Sequence, residues 1–371
     1  MNIKIPLIRP YIDSTVKEKV LEVLDSGYLT EGPVTSTFEE KFSKYIGCDH
    51  SIAVTSCTTG LEIALRALNI GAGDEVIVPD YTYPATAAVV SIVGAQSVIV
   101  DIDKETMLID YKKAENAITN KTKAIIPVSL FGNPLDYDKL NKIKDEFKIF
   151  IVEDAACAVG SEYKRIKTGN LADISVFSFH PRKFITTGEG GMVTTNNDEW
   201  AVWMNSYKHF GMNMSNIQRE AVKFEMIGTN YKLSNILSAI GLVQLKMIDV
   251  LLNRRIELAD NYLKLLKNIN GISIPKTTEN GNHSYQSFTI FINKRDEIMK
   301  SMKNSCIEVQ IGSYSLHMCR AFQNKKTVKL HGSYENSIYA YDNCLTLPLY
   351  HELTFDQQEL IVEKLKLFLV S

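Results

Sequence analysis

Lys183 stands where a lysine side chain can do chemistry. It follows the apolar run Ile174–His180 and precedes a glycine-rich stretch, Gly188-Glu189-Gly190-Gly191. An amine between a buried strand and such a hairpin can reach a pocket, although a surface lysine beside an ordinary tight turn reads the same way. Three other segments carry complementary groups. Ser56-Cys57-Thr58-Thr59-Gly60 opens a helical pattern; its hydroxyls and unpaired amides form either an anion cradle or a simple N-cap. Tyr83, in Asp80-Tyr81-Thr82-Tyr83-Pro84-Ala85-Thr86, offers an aromatic face to a flat ring, or merely packs. Glu153-Asp154 ends an apolar run, where a carboxylate either meets a cation such as a pyridinium or caps the next turn.

These residues need a scaffold that gathers strand ends. Seven short runs read as strands: Ser51–Thr55, Glu75–Pro79, Ser97–Ile102, Ala124–Leu130, Ile149–Asp154, Ile174–His180 and Gly191–Thr195. Several are nearly continuous in Val and Ile, as strands buried on both faces are. Helical patterns lie between the early ones; in Thr58–Leu68, Leu61, Ala64, Leu65 and Leu68 share one face. The alternation predicts an α/β fold with a mostly parallel seven-stranded sheet. After about Asn196 the pattern changes. Asn235–Lys267 reads as one long connecting helix, and Ser287–Ile292 with Phe355–Leu369 suggest a smaller C-terminal α+β domain. The expected division is residues 1–245 and 246–371. Ligands of open α/β sheets bind outside the carboxyl ends of the strands, where all four chemical segments fall. An anion cradle, an aromatic platform, a carboxylate for a ring nitrogen and a lysine are the parts a pyridoxal 5'-phosphate (PLP) site requires.

The chain resembles the DegT/DnrJ/EryC1/StrS family of PLP-dependent sugar aminotransferases, of PLP fold type I. The resemblance runs from Ile5-Pro6-Leu7-Ile8-Arg9-Pro10 and Gly27-Tyr28-Leu29-Thr30-Glu31-Gly32-Pro33 through Glu153-Asp154-Ala155-Ala156 and Ser178-Phe179-His180-Pro181-Arg182-Lys183. It continues to Gly228-Thr229-Asn230-Tyr231-Lys232-Leu233-Ser234-Asn235. By position it implies that Lys183 carries the cofactor and shuttles protons, that Asp154 keeps the pyridine nitrogen protonated, and that Tyr83 stacks on the ring. It places Thr58, Thr59 and Ser178 at the cofactor phosphate, Cys57 among the cofactor-binding residues, and Asn230 at the phosphate of a neighbouring subunit, which implies a homodimer with shared sites. Transfer from an amino donor, by family habit glutamate, to a keto-sugar through a pyridoxamine 5'-phosphate form is the implied reaction. Tyr28, Thr30, His180, Tyr314, His317 and Arg320 are substrate candidates, Arg320 for an anionic group; for Tyr314 and His317 a structural role in the small domain reads as well. Two departures stand out. Cys157 replaces a Gln or His beside the ring oxygen and is either a weaker hydrogen-bonding group or a plain small apolar residue. The segment Val309-Gln310-Ile311-Gly312-Ser313-Tyr314-Ser315-Leu316-His317 departs from the usual substrate motif, which widens the acceptor to smaller phosphorylated ketones. Lysine rather than histidine at position 183 disfavours sugar dehydration.

The remaining composition narrows the alternatives. A formal net charge of −2 without an aromatic-interleaved basic tract argues against nucleic acid; Lys112-Lys113 and Lys325-Lys326 read as solvated faces. No CxxC pair or zinc-like Cys/His spacing suggests a metal site, and no apolar run is long enough for a membrane span. With no secretory signal visible from Met1 onward, the expected compartment is the cytoplasm, with reduced thiols. A PLP lyase or aldolase of the same fold, and a PLP-binding regulatory protein, are the competing functions.

Overall fold

The strand-forming runs find their partners in one sheet because each is apolar on both faces and must be covered twice. The computed structural model describes residues 5–213, 222–324 and 326–370. Met1 to Lys4, and Lys325 of the basic pair, lie outside the described residues. The large sheet comprises β1 (His50–Val54), β2 (Glu75–Pro79), β3 (Gln96–Val100), β4 (Thr122–Ile125), β5 (Phe150–Asp154), β6 (Ile174–Ser178), β7 (Gly191–Thr195) and β8 (Val328–Leu330). Its order is β1-β7-β6-β5-β4-β2-β3-β8, and only β7 runs antiparallel to its neighbours. All seven predicted strands are present, and an eighth is added at the edge. That strand has only three residues and follows most of the smaller sheet in sequence, so no local pattern announces it.

The predicted helix after β1 spans Cys57–Ala67, capped by Ser56, whose side chain accepts from the Thr59 amide while the Thr59 hydroxyl receives the Ser56 amide. Gly60 lets this helix sit against the sheet: a Cβ there would stand 2.5 Å from Val176 Cγ1. The expected single helix Asn235–Lys267 is two, Asn235–Lys246 and Ile248–Leu266, bent by 62° at Met247. No glycine or proline marks the break. The first helix packs on Ser14–Ser26 and Pro33–Ile46, the second on the C-terminal helix Phe355–Val370, so the bend follows from two different packing partners. Among the described residues no single helix is long and apolar enough to cross a membrane.

Beyond the bend, a second core gathers around a four-stranded antiparallel sheet of Ile272–Ser273, Phe288–Ile292, Cys344–Leu347 and Gln310–Ile311. Residues 314–334 leave it again. Tyr314–Ser315 pair with Tyr81–Thr82, Leu316, Phe322 and Tyr334 enter the core of the large sheet, and β8 completes its edge. This return carries small-domain residues to the carboxyl ends of the large-sheet strands.

Near the N-terminus, Lys208 has a fully buried side chain whose Nζ donates to Glu39 Oε1 at 3.0 Å and the Ala53 carbonyl at 3.1 Å, and pairs with Glu31 Oε1 at 3.1 Å. Burial opposes its charge, but Glu39 and Glu31 outweigh burial and hold its pKa above the ordinary 10.5. Burial likewise opposes the charge of Glu31, yet His209 and Lys208 keep it below 4.5. Lys208→Ala is expected to cost about 3–5 kcal/mol, because two carboxylates lose their buried cation. The sign follows from linkage: the Lys208 contribution is complete below pH 10.5 and fades as pH rises through its folded pKa, whereas that of Glu31 is complete above 4.5 and fades on acidification. Urea midpoints of wild type and variant across pH measure both.

Candidate active site

A cavity of about 660 Å³ opens where β1, β5 and β6 end and the small domain closes over them. Each chemical residue arrives there for a local reason. Alternation along β5 sends Glu153 and Asp154 to opposite faces. Glu153 is buried under the sheet and accepts from Ser129, Tyr137 and Ser175 hydroxyls at 2.5–2.8 Å. Asp154, 5 % exposed, points into the cavity. Its Oδ2 accepts from Thr86 Oγ1 at 2.8 Å and its Oδ1 from the Ala156 amide at 3.2 Å. Burial raises the Asp154 pKa, with Thr86, Ala156 and Lys183 opposing.

Lys183 sits on the turn after β6. Phe179, packed on Phe38 and Phe42, anchors the turn from beneath. The Lys183 amide donates to His180 O, the Phe184 amide to Gln286 Oε1, the Thr186 amide to Gln244 Oε1, and Gln286 Nε2 to Arg182 O. The backbone of the lysine's turn is thereby tied to residues on both sides of the bend at Met247. Its Nζ donates to Cys157 Sγ at 3.1 Å. Burial works against the ammonium, but Cys157, Cys57 and Asp154 together hold its pKa above the usual lysine value. Burial, and after it the Asp154 charge, push the Cys57 thiol well above its usual value.

Cys57, Thr58 and Ser178 line the same wall, at the N-terminus of the Cys57–Ala67 helix, where free amides and the dipole favour an anion. Gly191 allows this: a Cβ would lie 2.7 Å from the Cys57 nitrogen. Thr58 keeps its hydroxyl uncommitted among the described residues. Thr59 does not, since its hydroxyl and amide both close the capping box, and it does not line the cavity. Tyr83 presents an exposed ring at the mouth, 6.3 Å from the ring of Tyr314. His180 also lines the mouth, 4.0 Å from Glu189.

Other predicted residues lie outside this cavity. His317 turns inward: its amide and Nδ1 each approach Asp80 at 2.7 Å and its ring stacks on Tyr334. It therefore fixes the segment that delivers Tyr314, and it is not among the residues lining the cavity. Arg320 is exposed on the turn Arg320–Gln323. Tyr28, Thr30 and Asn230 are exposed on another face; the Asn230 carbonyl oxygen accepts from Lys232 Nζ at 2.6 Å. Sequence reasoning missed Thr86, the partner of Asp154, and the small-domain residues Gln286 and Gln310. Only Thr86 had a signal, its place just after β2, in the first turn of the helix Ala85–Ile92.

The donor set fits PLP: a buried carboxylate aimed into the cavity, a lysine amine on a turn tied down through its backbone, a helix N-terminus with a free hydroxyl, and an uncovered aromatic face. The model of the DegT/DnrJ/EryC1/StrS aminotransferase family matches residues 10–366. The GDP-perosamine synthase of Caulobacter vibrioides is 36% identical over 87% of this chain and 88% of its own length. The spore coat polysaccharide biosynthesis protein SpsC of Bacillus subtilis is 32% identical over 98% and 96%. The PMP-form of the putative sugar aminotransferase Spr1654 from Streptococcus pneumoniae superposes with a TM-score of 0.91 at 30% identity, covering 98% of each chain. The chain thus belongs to the DegT/DnrJ/EryC1/StrS aminotransferase family and is a PLP-dependent aminotransferase.

Proposed function

We propose that this aminotransferase moves an amino group from glutamate to a nucleotide-linked keto-deoxysugar in the cytoplasm, for polysaccharide or natural-product synthesis. The observation that carries the reading is the placement of Lys183 Nζ and the Asp154 carboxylate in one cavity roomy enough for a sugar beside the cofactor. Similarity to a GDP-perosamine synthase supports a nucleotide-linked acceptor, and similarity to SpsC supports a polysaccharide destination.

When bound, PLP supplies an aldehyde that accepts the amino group and a protonated ring that draws electrons from the carbon losing its proton. The chain does the rest. Asp154 holds the ring nitrogen, and Thr86 holds Asp154. Thr58, Ser178 and the amides of the Cys57–Ala67 helix hold the phosphate. Tyr83 covers the ring. Lys183 must shed its proton to act as nucleophile, and Cys157 Sγ is the group its amine already touches. Freed again, the same amine takes a proton from one carbon and returns it to another.

Asn230, which does not line this chain's own cavity, would reach the cofactor phosphate of a second copy. The exposed apolar residues Tyr28, Leu29, Phe210 and Ile227 belong to neighbouring segments and support a homodimer there. Two labelling experiments test the function. Label should exchange between glutamate and 2-oxoglutarate without any acceptor, and nitrogen from labelled glutamate should appear in the sugar when a GDP-linked 4-keto-6-deoxysugar is supplied. A product free of that nitrogen would point to a lyase and refute the reading.

A further inference from the structure

Once Asp154 and Lys183 are committed to the cofactor, the cavity wall keeps two fully charged side chains, Arg182 and Glu189. Every substrate of the proposed reaction carries an oxyanion: the donor a pair of carboxylates, the acceptor a diphosphate. Arg320 lies on the surface, outside the cavity. Resting on the proposed function, we propose that Arg182 is the oxyanion-binding residue of this active site, gripping a carboxylate or phosphate of the substrate at the cavity mouth.

Its mounting suits that task. The Arg182 amide donates to His180 Nδ1 at 3.2 Å, and its carbonyl accepts from Gln286 Nε2 at 2.8 Å. Both bonds fix the backbone one residue before the nucleophile. The guanidinium itself is exposed and makes a single marginal contact, Nη1 to Gln310 Oε1 at 3.5 Å, across the gap between the domains. No carboxylate pairs with it among the described residues. A guanidinium with most of its donors unspent matches an oxyanion through two parallel N–H bonds. Gln310 holds the side chain over the cavity and yields when a stronger acceptor arrives. An exposed arginine with no ligand role would bind neither kind of anion.

The test uses PLP-loaded enzyme, so that the cofactor's own phosphate site is filled. Calorimetric binding of glutarate and of inorganic pyrophosphate is compared for wild type, Arg182→Gln and Arg182→Lys. The glutamine variant should weaken at least one anion on the order of 10- to 100-fold, the gain expected of a charge-assisted pair, and the lysine variant should recover part of it. Loss confined to glutarate assigns Arg182 to the donor; loss confined to pyrophosphate assigns it to the nucleotide sugar. Unchanged affinity for both within twofold, or no binding of either by wild type, would overturn the proposal. Glutamate/2-oxoglutarate exchange by the wild type reads the proposed function separately: if exchange is present and Arg182→Gln binds normally, only the arginine assignment falls. The Arg182 backbone contacts do not involve its side chain, and circular dichroism of the variants checks that the fold is kept.

Discussion

Lys183→Ala should lower amino transfer by at least about 10⁴-fold, because one substitution removes both the nucleophile and the proton carrier. The protein should still fold and still bind PLP. The turn that holds position 183 is anchored through backbone amides of Phe184 and Thr186 and through the aromatic packing of Phe179, none of which needs the lysine side chain. Asp154, Thr58 and Ser178 also remain. Cofactor retained on a filter or in an ultracentrifuge, together with absent turnover, is the expected pair of results. Turnover within tenfold of wild type would mean that another group does this work. Added primary amines should restore a little activity to the alanine variant through the vacated cavity, whereas Lys183→Arg, with a guanidinium that does not deprotonate, should stay inactive.

Asp154→Ala should cost on the order of 10³-fold in kcat, with far less effect on folding. The carboxylate is almost fully buried, and burial raises its pKa. Such a group is expensive unless a cation or proton is shared with it. Removing it leaves a ring nitrogen without a partner that favours protonation. Asp154→Asn tests the electrostatic part alone, since the amide keeps a hydrogen bond with Thr86 but carries no charge; it should fall close to the alanine variant. Thr86→Val should lose much less, about tenfold, because it releases one of the three bonds that orient the carboxylate. Pre-steady-state rates with glutamate separate these effects from substrate binding.

The parts of the site on the large sheet were legible because each follows a strand whose apolar run is visible. Lys183, Asp154, Tyr83 and Cys57 all lie at such strand ends, and the two-residue period of β5 explains why Asp154 and not Glu153 enters the cavity. The contributions of the small domain were not legible. Tyr314 arrives through a two-residue pairing with Tyr81–Thr82, too short for any pattern, and is pinned by the His317–Asp80 contact, at a residue for which sequence reading left a substrate role and a structural role open. Gln310 and Gln286 line the cavity from beyond the bend at Met247, where no glycine or proline signals a break. Thr59 is the opposite case. Its residue type suits a phosphate, but its hydroxyl accepts from the Ser56 amide and closes the cap. Cys157 falls between these cases: a thiol where the family often has a stronger hydrogen-bonding side chain, and here the partner of the lysine amine itself.

Trapping the cofactor where it is attached tests the central claim most directly. PLP-loaded enzyme is reduced with borohydride, digested and analysed by mass spectrometry. The pyridoxyl mass should appear on the peptide containing Lys183 and on no other lysine, and prior incubation with glutamate should abolish the label. A label on a different lysine, or a label that glutamate leaves untouched, would contradict the assignment of Lys183 as the residue that carries the cofactor and hands on the amino group.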